Sequence, residues 1–154
     1  MCALLLNSPV IAALVAGIFG ALAVWLGLRR FRTEKWWERK AADYATIIEA
    51  LHALEDVEDE QIDAMEKSVT LPMKRLDDIR VKSVRAREEI RKYSNLGGFV
   101  ITQHTAKLLN DVTRSLEIPH HEQQSPHDYH EARQNAVTKA LAAVKVEAKN
   151  DLRT

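Results

Sequence analysis

His120, His121, His127 and His130 fall within eleven residues, and clustered imidazoles are the usual beginning of a zinc-type site. His127 and His130 stand three apart where a helical pattern begins, close enough to share a face, while His120 and His121 would have to fold back from the preceding loop. No cysteine is at hand to complete a set: Cys2 is the chain's only one and precedes a long apolar stretch. A cysteine count of one also excludes a disulfide framework or a paired-cysteine site. The four histidines are therefore candidate metal ligands within an ordinary Pro-flanked polar linker, and no cofactor is expected.

A second arrangement with chemical meaning is Glu49-Ala50-Leu51-His52, the Glu-x-x-His unit of di-iron helical bundles. Such centres need two units and two further inward glutamates. The only other occurrence, Glu117-Ile118-Pro119-His120, has a proline inside it, and His52 follows a core-type leucine, which points it to the flank or the surface. There is no GxxxxGK[ST], GxGxxG or HExxH, and no serine elbow. The basic stretch 74–92 holds eight bases, yet Asp77, Asp78, Glu88 and Glu89 interleave with them. A solvated face with i,i+4 pairs accounts for that pattern without nucleic acid. The expected protein is not an enzyme.

The elements that carry these residues begin with a segment of different composition. Residues 1–28 hold no charged side chain, and 9–28 is an almost unbroken apolar run. At about 1.5 Å per residue it is long enough to cross about 30 Å of hydrocarbon as one helix. Ser8 and Pro9 supply a cap and a first-turn proline, with 1–8 left as a short extracytoplasmic N-terminus. A signal peptide would carry its positive charge ahead of the apolar run; here the charge follows it. Arg29, Arg30, Arg32, Lys35, Arg39 and Lys40 stand against only Glu34 and Glu38, so the positive-inside rule puts 29–40 and everything after it in the cytoplasm, with the N-terminus outside. Trp25, Arg29, Arg30, Arg32, Lys35 and Trp36 are the expected interface with anionic headgroups. Ala13, Ala16, Gly20, Ala23 and Gly27 form one stripe of small residues, and Ala13, Gly17 and Ala21 another; these would let two spans approach closely.

The remaining chain reads as helices at about 33–69, 72–95, 99–117 and 126–152. Trp37, Tyr44, Leu51 and Ile47, Leu54 follow a heptad pattern that makes Trp37 the expected first bundle layer. Leu76, Ile79, Ala86, Ile90 and Tyr93 supply the second face, and Ile101, Thr105, Leu108, Val112 and Leu116 the third. The fourth face is largely alanine, from Tyr129 to Leu152. No strand pattern occurs. Short connections favour antiparallel neighbours, so the expected fold is all-α: one N-terminal transmembrane helix followed by an up-and-down four-helix cytoplasmic bundle across 33–154. Seven acids and no base occupy 55–66. Antiparallel packing would lay that block beside the basic start of the second helix, and the acidic arm 56–66 is also the expected place for partner contact.

The stretches EKWWERKAADYATIIEALHAL, EEIRKYSNLGGFVI and VKVEAKNDL resemble a group of small bacterial proteins that pair one N-terminal membrane segment with a helical cytoplasmic part. The resemblance implies a bacterial origin and an inner-membrane address, and it supplies no functional residues. The expected function is that of a membrane-anchored scaffold or partner-binding protein, self-associating through its span or joined to another protein. The alternatives are a membrane-perturbing effector of a defence or toxin system and, behind it, a metal-binding bundle enzyme.

Overall fold

Ser125 accepts a hydrogen bond from the Asp128 N–H at 3.1 Å, with Pro126 in the first turn of the helix that follows. Both residues do there what their chemistry favours: the hydroxyl satisfies an otherwise orphaned amide, and the proline occupies a position that needs none. The computed structural model describes residues 9–119 and 125–153, without the side chains of 9–16, 21 and 28–33. It contains α1 (Pro9–Glu66), α2 (Met73–Leu96), a 3-10 turn (Gly97–Phe99), α3 (Gln103–Glu117) and α4 (Pro126–Asp151), and no strand among the described residues. The protein is all-helical.

Local chemistry explains where α1 and α2 stop and where α3 begins. Beyond Glu66 the Val69 N–H bonds the Ala64 carbonyl and the Ser68 N–H bonds that of Met65, while Ser68 itself has φ +51°. This is a Schellman ending with serine in the left-handed position that usually belongs to glycine. It closes α1 at Glu66, three residues before the expected end at 69. Gly97 ends α2 at φ +49°, its N–H bonded to the Tyr93 carbonyl. The third helix starts at Gln103 and not near Phe99, because the 3-10 turn intervenes and Thr102 is the residue that caps, accepting from the Thr105 N–H.

The chain divides into two compact units, Met1–Arg39 and Lys40–Thr154. In the second, the part of α1 from Lys40 onward packs with α2, α3 and α4. Glu60 and Asp56 of α1 meet Arg75 and Lys82 of α2, and Asp43 meets Tyr93, so residue numbers rise on one helix as they fall on the other. The same opposition relates α1 to α4 through Lys40–Asp151 and Glu58–Arg133, and α3 to α4 through His104–Glu147 and Leu116–Arg133. The bundle is up-and-down. Its centre holds Tyr44, Ile47, Leu51, Leu54, Ile90, Leu109, Val137 and Val144, each at most 1% exposed; burying an aliphatic side chain of this size contributes about 1.5–3 kcal/mol.

Two face assignments change. Leu109, not Leu108, lies fully inside, and Leu76 is 42% exposed, while Ile79, Ala86, Ile90 and Tyr93 are buried as expected and Ser83 joins them. Trp37 belongs to the first unit and meets Trp36 edge-on at 5.9 Å, so the first bundle layer is Tyr44. In that first unit Ile18, Phe19, Leu22, Val24, Trp25 and Leu26 are between 47% and 68% exposed. Among the described residues no helix is long and apolar enough to cross a membrane. Side chains of 9–28 are described only at 17–20 and 22–27, fewer than the roughly 20 residues that a span requires.

Candidate functional site

The polar chemistry of the bundle concentrates on Glu58, which is 1% exposed. It continues the heptad run of Tyr44, Ile47, Leu51 and Leu54 by one step, and so takes the inward place where another apolar residue would go. Arg133 does the same on α4, in the face shared with Val137, Ala140 and Val144. The two meet: Arg133 Nε donates to Glu58 Oε1 at 2.8 Å, and His130 Nδ1 lies 2.6 Å from Oε2. Arg133 Nη1 also donates to the Tyr129 hydroxyl at 2.8 Å and to the Leu116 carbonyl at 3.1 Å. That carbonyl belongs to the last turn of α3, where carbonyls lack helical partners and a positive charge is favoured. The Arg133 guanidinium stands 5.1 Å from the centre of the Tyr129 ring.

One carboxylate thus joins α1 to α4, and its guanidinium partner joins both to the end of α3. Burial alone would push the Glu58 carboxyl upward; the His130 hydrogen bond and the Arg133 charge outweigh it and hold the group below the usual carboxylate range. With both oxygens engaged and ionisation favoured, Glu58 serves as a fixed charge rather than a proton carrier. Arg87 on α2 feels the same cluster: burial and the neighbouring Arg133 lower its pKa.

A second network ties the other end. Asp151 accepts from Lys40 Nζ at 2.6 Å and from the Tyr44 hydroxyl at 2.7 Å. The buried Thr105 hydroxyl lies 2.9 Å from that of Thr102 and 3.4 Å from that of Tyr44. Here α1, α3 and α4 are joined by hydrogen bonds alone except for Lys40–Asp151.

These contacts change the reading of the histidines. His130 is not available as a metal ligand through Nδ1, because that atom faces Glu58. His120 and His121 lie outside the described residues. His127 has Glu66 3.7 Å from Nε2, and Asp128 and Glu131 each 3.9 Å from Nδ1. His127, Asp128 and Glu131 are close enough together to hold an ion, and all three lie at the surface or half-buried; of the two candidate histidines that are described, His127 stands among carboxylates and His130 faces Glu58. His52 points outward, between Glu55 at 3.2 Å and Lys145 at 3.0 Å, and Glu49 is exposed; the Glu-x-x-His unit does not face the core.

The acidic arm makes several contacts within the bundle. Glu58 is in the core, Asp56 pairs with Lys82 at 2.8 Å, Glu60 with Arg75, and Gln134 donates to Asp59. Requirements of the bundle itself account for most of the charges on 56–66. Of the residues expected at a membrane interface, Trp25 and Trp36 are 56% and 53% exposed, and Lys35 pairs with Glu38 at 2.8 Å. The side chains of Arg29, Arg30, Arg32, Ala13, Ala16 and Ala21 lie outside the described set. Gly17, Gly20 and Gly27 have nothing within 4 Å of the place where a Cβ would stand. No protein-family model, curated protein or solved structure matches the chain, so the functional reading rests on its own residues.

Proposed function

We propose that the protein is a non-enzymatic scaffold anchored in a cell inner membrane by 9–28, with 29–40 at the cytoplasmic headgroups and a four-helix bundle held beyond them. One observation carries this reading. Ile18, Phe19, Leu22, Val24 and Leu26 point in several directions around α1, and each is about half exposed or more. A helix that is apolar all round has no solvated side and needs an apolar medium or a protein partner over its whole circumference. The uncharged length of 9–28 and the basic block directly after it favour lipid over protein as that medium. The bundle offers a partner a rigid frame: its buried charge is internally paired, which supports presentation of surface and not turnover.

Extraction of native membranes with alkaline carbonate, followed by protease treatment of intact spheroplasts, tests the reading. The chain should stay in the pellet, and its C-terminal portion should be degraded only after lysis. Release by carbonate or by high salt overturns the anchor. Cleavage of the bundle in unlysed spheroplasts overturns the orientation.

A further inference from the structure

We propose that α1 and α2 together form a self-association surface, on which two copies of the chain pair about a two-fold axis running along the groove between these helices. The groove has a volume of about 520 Å³ and a floor of Ala50, Ala53 and Ala86. Alanines leave room for a second backbone to come close. Val81 stands beside this floor at 68% exposure, an apolar knob with nothing over it.

Charge on the two rims selects the occupant. Glu49 lines the α1 side and Arg85 the α2 side; both are exposed, and neither makes a hydrogen bond or ion pair with any described residue. The other charges lining the groove are Lys82, paired with Asp56, Glu89, paired with Lys92, and Asp78, which lies about two turns from Arg85 along α2. The contacts Asp56–Lys82 and Asp43–Tyr93 place Glu49 within about one turn of the level of Arg85. An axis parallel to the groove lays α2 of one copy over α1 of the other at that same level. Each Arg85 then reaches the partner copy's Glu49, and each Val81 meets the partner copy's Ala53. Reciprocity of this kind is the mark of an isologous contact. An unrelated partner would have to reproduce the opposed charges by chance, whereas a second copy carries them by identity.

Ten residues line the groove, against roughly twenty to thirty on each side of a standard stable interface. The contact is accordingly weak in dilution and gains from confinement, which raises effective concentration. The groove lies wholly in the second unit, so its chemistry does not depend on the anchor being embedded.

The test uses the full chain, with Cys2→Ser, expressed in cells as two differently tagged forms carrying Ala53→Cys and Val81→Cys. A short bis-maleimide should join the two tags. Glu49→Arg or Arg85→Glu placed in both forms should each lower that yield roughly tenfold, the loss expected when two exposed pairs become repulsions. Placing Glu49→Arg in one form and Arg85→Glu in the other should restore it, since each altered chain then complements the other. Helix content and melting should be unchanged throughout. Gly20→Ile, which disrupts small-residue contacts between spans, should leave the crosslink in place. The proposal is overturned if the single reversals have no effect, if mixing fails to restore the yield, if Gly20→Ile abolishes it, or if the cysteines link to a different protein. Release of the chain by carbonate would refute the anchor and leave these readouts intact.

Discussion

Helix α1 solves two opposite problems along one backbone. Between 18 and 26 its large apolar side chains are all about half exposed or more, whereas Tyr44, Ile47, Leu51 and Leu54 further along are at most 1% exposed. The difference lies in pattern and not in helix formation, since both stretches belong to one unbroken element. Residues 40–66 confine their apolar groups to a stripe and leave the rest charged, so neighbouring helices can cover the stripe while water takes the other face. The earlier stretch has no polar face to offer. The second stretch builds its own apolar environment from α2, α3 and α4, whereas the large apolar side chains of 18–26 have no such cover within their own unit.

The largest effect is expected where the bundle buries its charge. Arg133→Met removes the guanidinium from Glu58 and leaves a carboxylate 1% exposed with His130 as its nearest partner. Breaking a buried pair in this way costs about 3–5 kcal/mol, and denaturant unfolding of the full chain in detergent should show it as a lower midpoint. The double change Glu58→Leu with Arg133→Met replaces the pair by apolar groups of similar bulk and should regain most of the loss. If the double variant is no better than the single, the role assigned to this charge pair is wrong.

Ile18→Arg attacks the other stretch. Ile18 is 59% exposed and contributes nothing to the core, so unfolding of the bundle should change by less than about 0.5 kcal/mol. Under the anchored reading, the same charge at the middle of a span costs about 2.5–3.5 kcal/mol on insertion. Fractionation should find much of the protein outside the membrane pellet, still folded. A bundle that melts earlier would mean that the two stretches are less independent than their surfaces indicate.

Much of this division is legible in the sequence, because hydropathy and heptad spacing are periodic signals. Tyr44, Ile47, Leu51 and Leu54 declare a core face, and the acidic block followed by a basic helix declares that the two blocks meet but not the partners, since Lys82 turns to Asp56 on α1 and makes no i,i+4 pair on its own helix. Glu58 and Arg133 do not declare themselves. Each sits among charges of ordinary solvated appearance, and only the continuation of the heptads through both positions marks them as inward. His130 stands beside other histidines in the sequence, while the residue that its Nδ1 faces, Glu58, lies 72 positions away. Composition cannot reveal a pairing that tertiary structure creates.

Acid offers a gentler probe of the same difference. The Glu58 carboxyl lies lower in the folded chain than in the unfolded one, chiefly because the His130 hydrogen bond and the Arg133 charge overcome burial. Its contribution is therefore complete above the ordinary glutamate value, near pH 4.3, and is lost as pH falls from there through the lower folded value. Melting of the bundle should decline over that range. Glu58→Gln should flatten the decline while lowering stability at neutral pH. A slope unchanged by this substitution would assign the acid sensitivity to other carboxylates.

The smallest effect concerns how the second stretch ends. Ser68 holds φ +51° in the left-handed position of the Schellman turn, where Gly97 serves α2 at φ +49° without a Cβ to crowd. For an L-residue with a side chain this conformation costs roughly 1–2 kcal/mol, offset in part by the greater freedom that glycine has in the unfolded chain. Ser68→Gly should therefore stabilise the bundle by up to about 1 kcal/mol, visible as a higher melting temperature, and should leave membrane partitioning unchanged because it touches nothing before Lys40. A loss of stability would mean that the serine does something at this turn beyond closing it.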